Sequence, residues 1–250
     1  YLSRTSFIPF ATDEVKGGEI SRLLHFRSEE EIIACFDMPR ESSERYLFLA
    51  TRQGLVKKVS FSELQRIKEG GMMVIGMRED DALAGAEMTD GKMELLLASR
   101  QGKSIRFSEE DVREMGSAAG GIKGIELESD DHVVSVVLLV REAAAVLSLT
   151  HLGFGKRSDA AEYGTIKRGG KGIVNYKCSE KSGWVAAVVE AAATDQFIVV
   201  TKKGKLKRLK AKEIKTGGRA TQGTAVVNIV KGDEIASLFP LPDPQGKKRS

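Results

Sequence analysis

The chain has 250 residues, of which 41% are hydrophobic and 30% charged, and its net charge is +4. That length buries a sizeable core without metals or crosslinks, and the composition excludes a disordered chain. No apolar run reaches the length of a membrane span, and no charged-then-apolar leader opens the chain.

Internal repetition organises the rest, so it is sought first. Tyr1-Leu2-Ser3-Arg4 has the form of the second half of a unit that recurs four more times. The recurring segments are Leu47–Gly54, Leu95–Gly102, Val146–Gly153 and Phe197–Gly204, whose glycines lie 48, 51 and 51 residues apart. In each, a run of β-favouring apolar residues predicts a buried strand, and a polar pair with glycine predicts a tight hairpin turn. A base follows each glycine by four positions: Lys58, Arg106, Arg157 and Arg208. Next comes a polar stretch, such as Ser60–Leu64 or Ser108–Val112, that reads as a loop or short helical turn. Glycine pairs follow at 17–18, 70–71, 120–121, 169–170 and 217–218. A further apolar strand then runs to an acidic turn, as at Asp80-Asp81 and Asp130-Asp131, which reads as solvated.

Units of about 50 residues built from short strands and glycine turns predict an all-β radial array of about five blades. One unit cannot cover its own apolar strands, so neighbouring blades must pack on each other. Residues 1–241 read as a single domain, and 242–250 as a disordered basic tail. Cys35 and Cys178 are too few and too far apart for a disulfide scaffold or zinc site, and read as reduced core thiols of a cytoplasmic protein. Trp184 reads as core or blade-interface packing. The abrupt start at Tyr1 reads as a piece cut from a longer protein.

The stretch Tyr46–Lys58, with Leu83–Gly91 and Ile105–Gly116, closely resembles the C-terminal domain of bacterial DNA gyrase A. Gly153–Arg157 and Thr221–Gly223 match later units of that family, and the resemblance runs to about Leu241. It implies a β-pinwheel, a propeller-like disc whose strands are exchanged between blades, with duplex DNA bent around its basic outer edge. It also implies an accessory domain of a type II topoisomerase and not an enzyme. The implied partners are double-stranded DNA, the catalytic core of the parent chain, and the ATPase subunit of the holoenzyme, with no membrane. No cofactor is implied for this domain; ATP and Mg belong to the parent enzyme. A cytoplasmic, nucleoid-associated location follows from the same resemblance. The topoisomerase IV counterpart of this domain, which steers DNA without full wrapping, is the close alternative. The family's box, Gln-Arg-Arg-Gly-Gly-Lys-Gly, has its nearest match at Ile166–Gly172, in the fourth unit and not the first.

The expected DNA contacts are the turn bases Arg4, Lys57, Lys58, Lys103, Arg106, Lys156, Arg157, Lys205, Lys207 and Arg208. To these the box-like segment adds Lys167, Arg168, Gly169, Gly170, Lys171 and Gly172, where bare glycine N–H groups and three bases could meet a phosphate. No recognition helix is evident, so phosphate and not base sequence would be read. His25, His132 and His151 are scattered, and no ligand-spaced cluster or catalytic constellation stands out. A WD40- or kelch-type interaction propeller would show its own repeat signatures, and a propeller enzyme would show acids or histidines at one offset. Neither pattern occurs.

Overall fold

The computed structural model describes residues 30–36, 45–67, 71–141 and 144–241. Each repeat begins with a hairpin whose turn carries the positive-φ glycine expected there. The hairpins are β1 (Tyr46–Thr51) with β2 (Leu55–Ser60), β4 (Glu94–Ser99) with β5 (Lys103–Ser108), β8 (Ala145–Thr150) with β9 (Phe154–Asp159), and β12 (Gln196–Thr201) with β13 (Leu206–Lys210). A third antiparallel strand joins the first strand of each hairpin: β3 (Leu83–Thr89), β7 (Val133–Leu139), β11 (Val185–Ala191) and β15 (Ile235–Pro240). The polar stretches after the hairpins are helical turns: α1 (Phe61–Leu64), and 3-10 turns at Glu109–Asp111, Ala160–Glu162 and Ala211–Glu213.

Three of the four sheets are finished by a strand from the next repeat. These two-residue strands are β6 (Ile122–Lys123), β10 (Ile173–Val174) and β14 (Thr224–Ala225), paired to β2, β5 and β9. The result is three four-stranded sheets and one three-stranded sheet. The exchange has a physical reason: it covers an open edge and satisfies backbone groups that one repeat cannot satisfy alone. Strand β7 contacts both β3 and β11, and β11 contacts β15, so these third strands form the inner layer. The exchanged strands lie at the opposite end of each sheet and form the outer rim.

The architecture is all-β and propeller-like, as read from the repeat, but the count of five blades is corrected. Four blades stand among the described residues; the unit read at Tyr1–Glu31 falls almost wholly outside them, as does the 242–250 tail. Three of the four core clusters among the described residues lie between blades, and the fourth, around Leu47, Leu49 and Phe61, lies within the first repeat. Phe48, Ala50 and Val56 of the first blade pack with Leu95, Leu97, Ile105 and Phe107 of the second. Leu147 and Leu149 of the third pack with Phe197, Val199 and Leu209 of the fourth. Neighbour packing is therefore the main source of stability in each blade.

The acidic turns are not merely solvated. The second Asp of each pair caps the neighbouring hairpin tip: Asp81 Oδ1 accepts from Gln53 N at 3.0 Å. Asp131 accepts from Gln101 N at 2.9 Å, from His132 N at 2.8 Å and from Ser99 Oγ at 2.5 Å. Asp233 does the same for Lys203 N at 3.1 Å. Asp131→Ala strands these three donors and is expected to cost about 2 kcal/mol, read as a lowered urea midpoint at unchanged m-value.

Both cysteines are free; Cys178 is half-buried against the core between the second and third blades, whereas Cys35, expected in the core, is exposed. Trp184 lies at the junction of the second and third blades. It is 40% exposed and stacks on the Arg100 guanidinium, 5.0 Å from the ring centroid.

Candidate nucleic-acid interface

In the first three blades the base at the fixed offset after the hairpin glycine does not point freely outward, whereas Arg208 of the fourth is exposed. Lys58 is buried, and its Nζ donates to Glu109 O at 3.2 Å and sits 5.0 Å above the Tyr46 ring. Arg106 donates to Ala160 O and Tyr163 O, at 3.2 and 3.1 Å, and pairs with Glu94 at 3.1 Å. Arg157 donates from Nε to Ile214 O at 3.0 Å. In each case the acceptor is in or just after the helical turn of the next repeat. The periodic base is thus a latch between blades, which satisfies carbonyls that the short turn leaves open.

The preceding position behaves alike. Lys57 and Lys156 are 0% and 2% exposed. Lys57 Nζ donates to Val74 O, Ser117 O and Ala119 O at 2.7–2.9 Å. Lys156 Nζ donates to Ser158 Oγ, Gly218 O and Arg219 O at 3.0, 2.8 and 2.5 Å. Burial pulls both ammonium groups down to about 8. Both ammonium groups, expected to face outward, are turned instead to internal acceptors. Long charged side chains look alike in sequence whether they point to water or to a carbonyl.

The remaining expected residues divide by place. Arg4 is outside the described residues. Lys103 is half-buried, whereas Lys205, Lys207 and Arg208 are exposed along the last hairpin. There β13 carries no strand on its outer side among the described residues. The box-like segment lies on the rim, with Lys167 and Lys171 exposed. Its glycines serve packing as well as access. A Cβ on Gly172 would sit 2.4 Å from Ser104 O, at a φ of +66°. Gly169 N donates to Gly124 O at 2.6 Å, and Gly170 O accepts from Glu126 N at 2.9 Å. Arg168 reaches back to Asp111 O and Lys123 O, at 2.8 and 2.9 Å.

That reach brings in a base that sequence reasoning missed. Lys123 lies on β6, exposed, directly under the box-like turn. Its signal was present in Gly121-Ile-Lys-Gly124, a base between glycines. It was obscured because β6 belongs to one repeat in sequence and to the previous blade in space. Lys123, Lys167, Arg168 and Lys171 together form a basic patch on the outer edge, with Glu126 at its margin. Among the described residues, no group of three or more His, Cys, Asp or Glu could hold a metal ion. No helix there is long and apolar enough to cross a membrane.

The repeats match a known family. Residues 45–90, 94–139, 145–189 and 195–242 each correspond to the unit described as "DNA gyrase C-terminal domain, beta-propeller". The chain is 33% identical to the DNA gyrase A polypeptide of Salmonella typhimurium strain LT2 and 34% identical to that of Escherichia coli strain K12, each over 244 residues. These alignments cover 98% of the chain and 28% of each relative, so the chain spans little more than a quarter of their length. A solved structure of the DNA gyrase A C-terminal domain superposes with a TM-score of 0.83 at 25% identity, over 92% of this chain and 76% of that one. The C-terminal domain of DNA topoisomerase IV gives a TM-score of 0.84 at 24% identity, over 90% and 70%, a likeness of fold. The chain belongs to the family of DNA gyrase A C-terminal domains.

Proposed function

We propose that this domain binds duplex DNA without sequence preference and bends it along its outer rim, in the service of a type II topoisomerase. The observation that carries the reading is the basic patch of Lys123, Lys167, Arg168 and Lys171 on exchanged outer segments, together with the exposed Lys205, Lys207 and Arg208 further along the chain. Bending a 20–30 bp site by 40–90° costs roughly 1–6 kcal/mol, which a row of phosphate contacts offsets. The chemistry of strand cleavage and ATP hydrolysis belongs in this reading to other parts of the holoenzyme. The protein partners are the core of the parent chain and the ATPase subunit of the holoenzyme, and the setting is the cytoplasmic nucleoid.

Binding to linear duplex measured across a salt series is the test. With about six phosphates engaged, log K against log salt should fall with a slope near −5. A flat response removes the proposal. A relaxing topoisomerase added to closed circular DNA then separates bending along the rim from simple adhesion, because a directional wrap changes the linking number.

A further inference from the structure

Two of the most buried side chains in the molecule are lysines, and both lie beneath the same kind of loop. Lys57 on β2 holds Ser117 O and Ala119 O of the glycine-pair loop of the second repeat. Lys156 on β9 holds Gly218 O and Arg219 O of the corresponding loop of the fourth. Each ammonium thus spends its three donors, two of them on one rim loop. With their carbonyls drawn inward, the loops leave amide N–H groups on the other side. Those of Ser117, Ala118 and Gly120 donate to no acceptor among the described residues. The second blade is built differently: Ile105 occupies the same offset, and a Cβ on Gly170 of the box-like turn would lie 4.0 Å from its Cδ1. There the loop's own Arg168 does the fastening, through Asp111 O and Lys123 O.

We propose that Lys57 and Lys156 are positioning residues of the DNA-binding rim: they tether the glycine-pair loop of the next repeat by its carbonyls, and so present its amides and flanking bases to phosphate. This rests on the DNA-binding reading above. It gives these lysines a role without contact with DNA, through preorganisation of the loops that meet it. Lys156 faces the Tyr176 ring at 5.7 Å, Glu162, which favours its charge, and Arg219, which opposes it. Lys57 faces carbonyls alone among the described residues, and burial is what lowers its ammonium. Both become neutral near pH 8 in the folded chain and near 10.5 when unfolded. Between those values the unfolded chain binds more protons, so global stability from these groups rises with pH. The tether weakens in the same window, because a neutral amine has two N–H donors and turns a lone pair toward the third carbonyl.

Lys156→Ile places in the third blade the residue that the second already carries, and Lys156→Met keeps most of the stem should isoleucine fail to fold. Hydrogen exchange and duplex affinity are read on the 250-residue chain. In the variant, the hydrogen-bonded amides of Gly217 and Arg219 should exchange roughly tenfold faster or more, with the β8–β9 hairpin unchanged. Affinity for a linear duplex should fall about three- to tenfold, while the slope of log K against log salt stays the same, since no phosphate contact is lost. A slope shallower by about 0.9 with unchanged loop exchange makes Lys156 a direct contact and overturns the proposal. Unchanged affinity makes the lysine merely structural and overturns it equally. The unmodified chain supplies an arm independent of any variant. From pH 7 to 9.5, after correction for intrinsic exchange, protection should drop near pH 8 at the hydrogen-bonded amides of Ala119, Gly217 and Arg219 but not at those of Ile166 and Gly169. No step at the first three amides sinks the tether. If instead the unmodified chain shows no salt-dependent DNA binding, the DNA reading fails while the exchange result stands.

Discussion

Gly153→Ala will abolish cooperative folding or cost ~4 kcal/mol or more, whereas Gly204→Ala will cost roughly 1–2 kcal/mol. The two glycines share a turn and a left-handed φ, +84° and +77°. What separates them is the next repeat. A Cβ on Gly153 would lie 2.1 Å from Val227 O, and the Gly153 carbonyl accepts from Val226 N and Val227 N at 2.9 and 3.0 Å. Gly102 is held the same way, with a Cβ 2.1 Å from Tyr176 O. Around Gly204 there is nothing within 4 Å among the described residues. The backbone penalty of alanine is therefore common to both sites, and the clash is not. Urea unfolding of the paired variants isolates the contribution of one blade interlock. Equal costs at the two positions would mean that the turn, and not the junction, sets the glycine requirement.

Neutralising the rim is expected to have the largest effect on binding. Replacing Lys123, Lys167, Lys171 and Lys207 with alanine should make log K against log salt shallower by about 3.6, if each neutralises one phosphate. At 0.1 M salt that corresponds to an affinity loss of about 4 × 10³-fold. The exposed Lys123, Lys167 and Lys171 have no side-chain acceptor among the described residues, and Lys207 donates only to Val226 O at 3.0 Å from an exposed position, so stability should barely change. Arg106→Ala supplies the opposite pattern. It removes donors from Ala160 O and Tyr163 O and the partner of Glu94, and should cost about 2–3 kcal/mol of stability with the salt slope intact. A titration across four salt concentrations and one unfolding curve per variant check both. A quadruple variant with an unaltered slope would move the DNA path away from this edge.

The contrast between Arg106 and Lys167 shows what could be read in advance. Recurrence of a base at one offset was real, and it pointed to a repeated job. In the first three blades that job is latching a blade to its neighbour, because the base faces the next repeat's helical turn and not solvent. Periodicity reports that positions are equivalent; it does not report which way their side chains face. The acidic turns had the same ambiguity. Asp81 and Asp131 have the composition of solvated turns, yet each caps a hairpin tip about 30 residues earlier in the chain. Lys123 was overlooked for the converse reason, since its strand completes the sheet of the preceding repeat.

The hairpins, their glycine turns, the repeat length and the propeller class were local matters. They rest on β-favouring runs, positive-φ glycines and apolar faces that a single repeat cannot cover, all of which act within about 50 residues. The exchange of outer strands, the burial of Lys57 and Lys156, and the division of bases into latches and rim were matters of assembly. They depend on which carbonyls and apolar faces a neighbouring repeat brings within reach. A lysine stem is long enough to serve either water or a buried acceptor, and only the packed blades supply the acceptor.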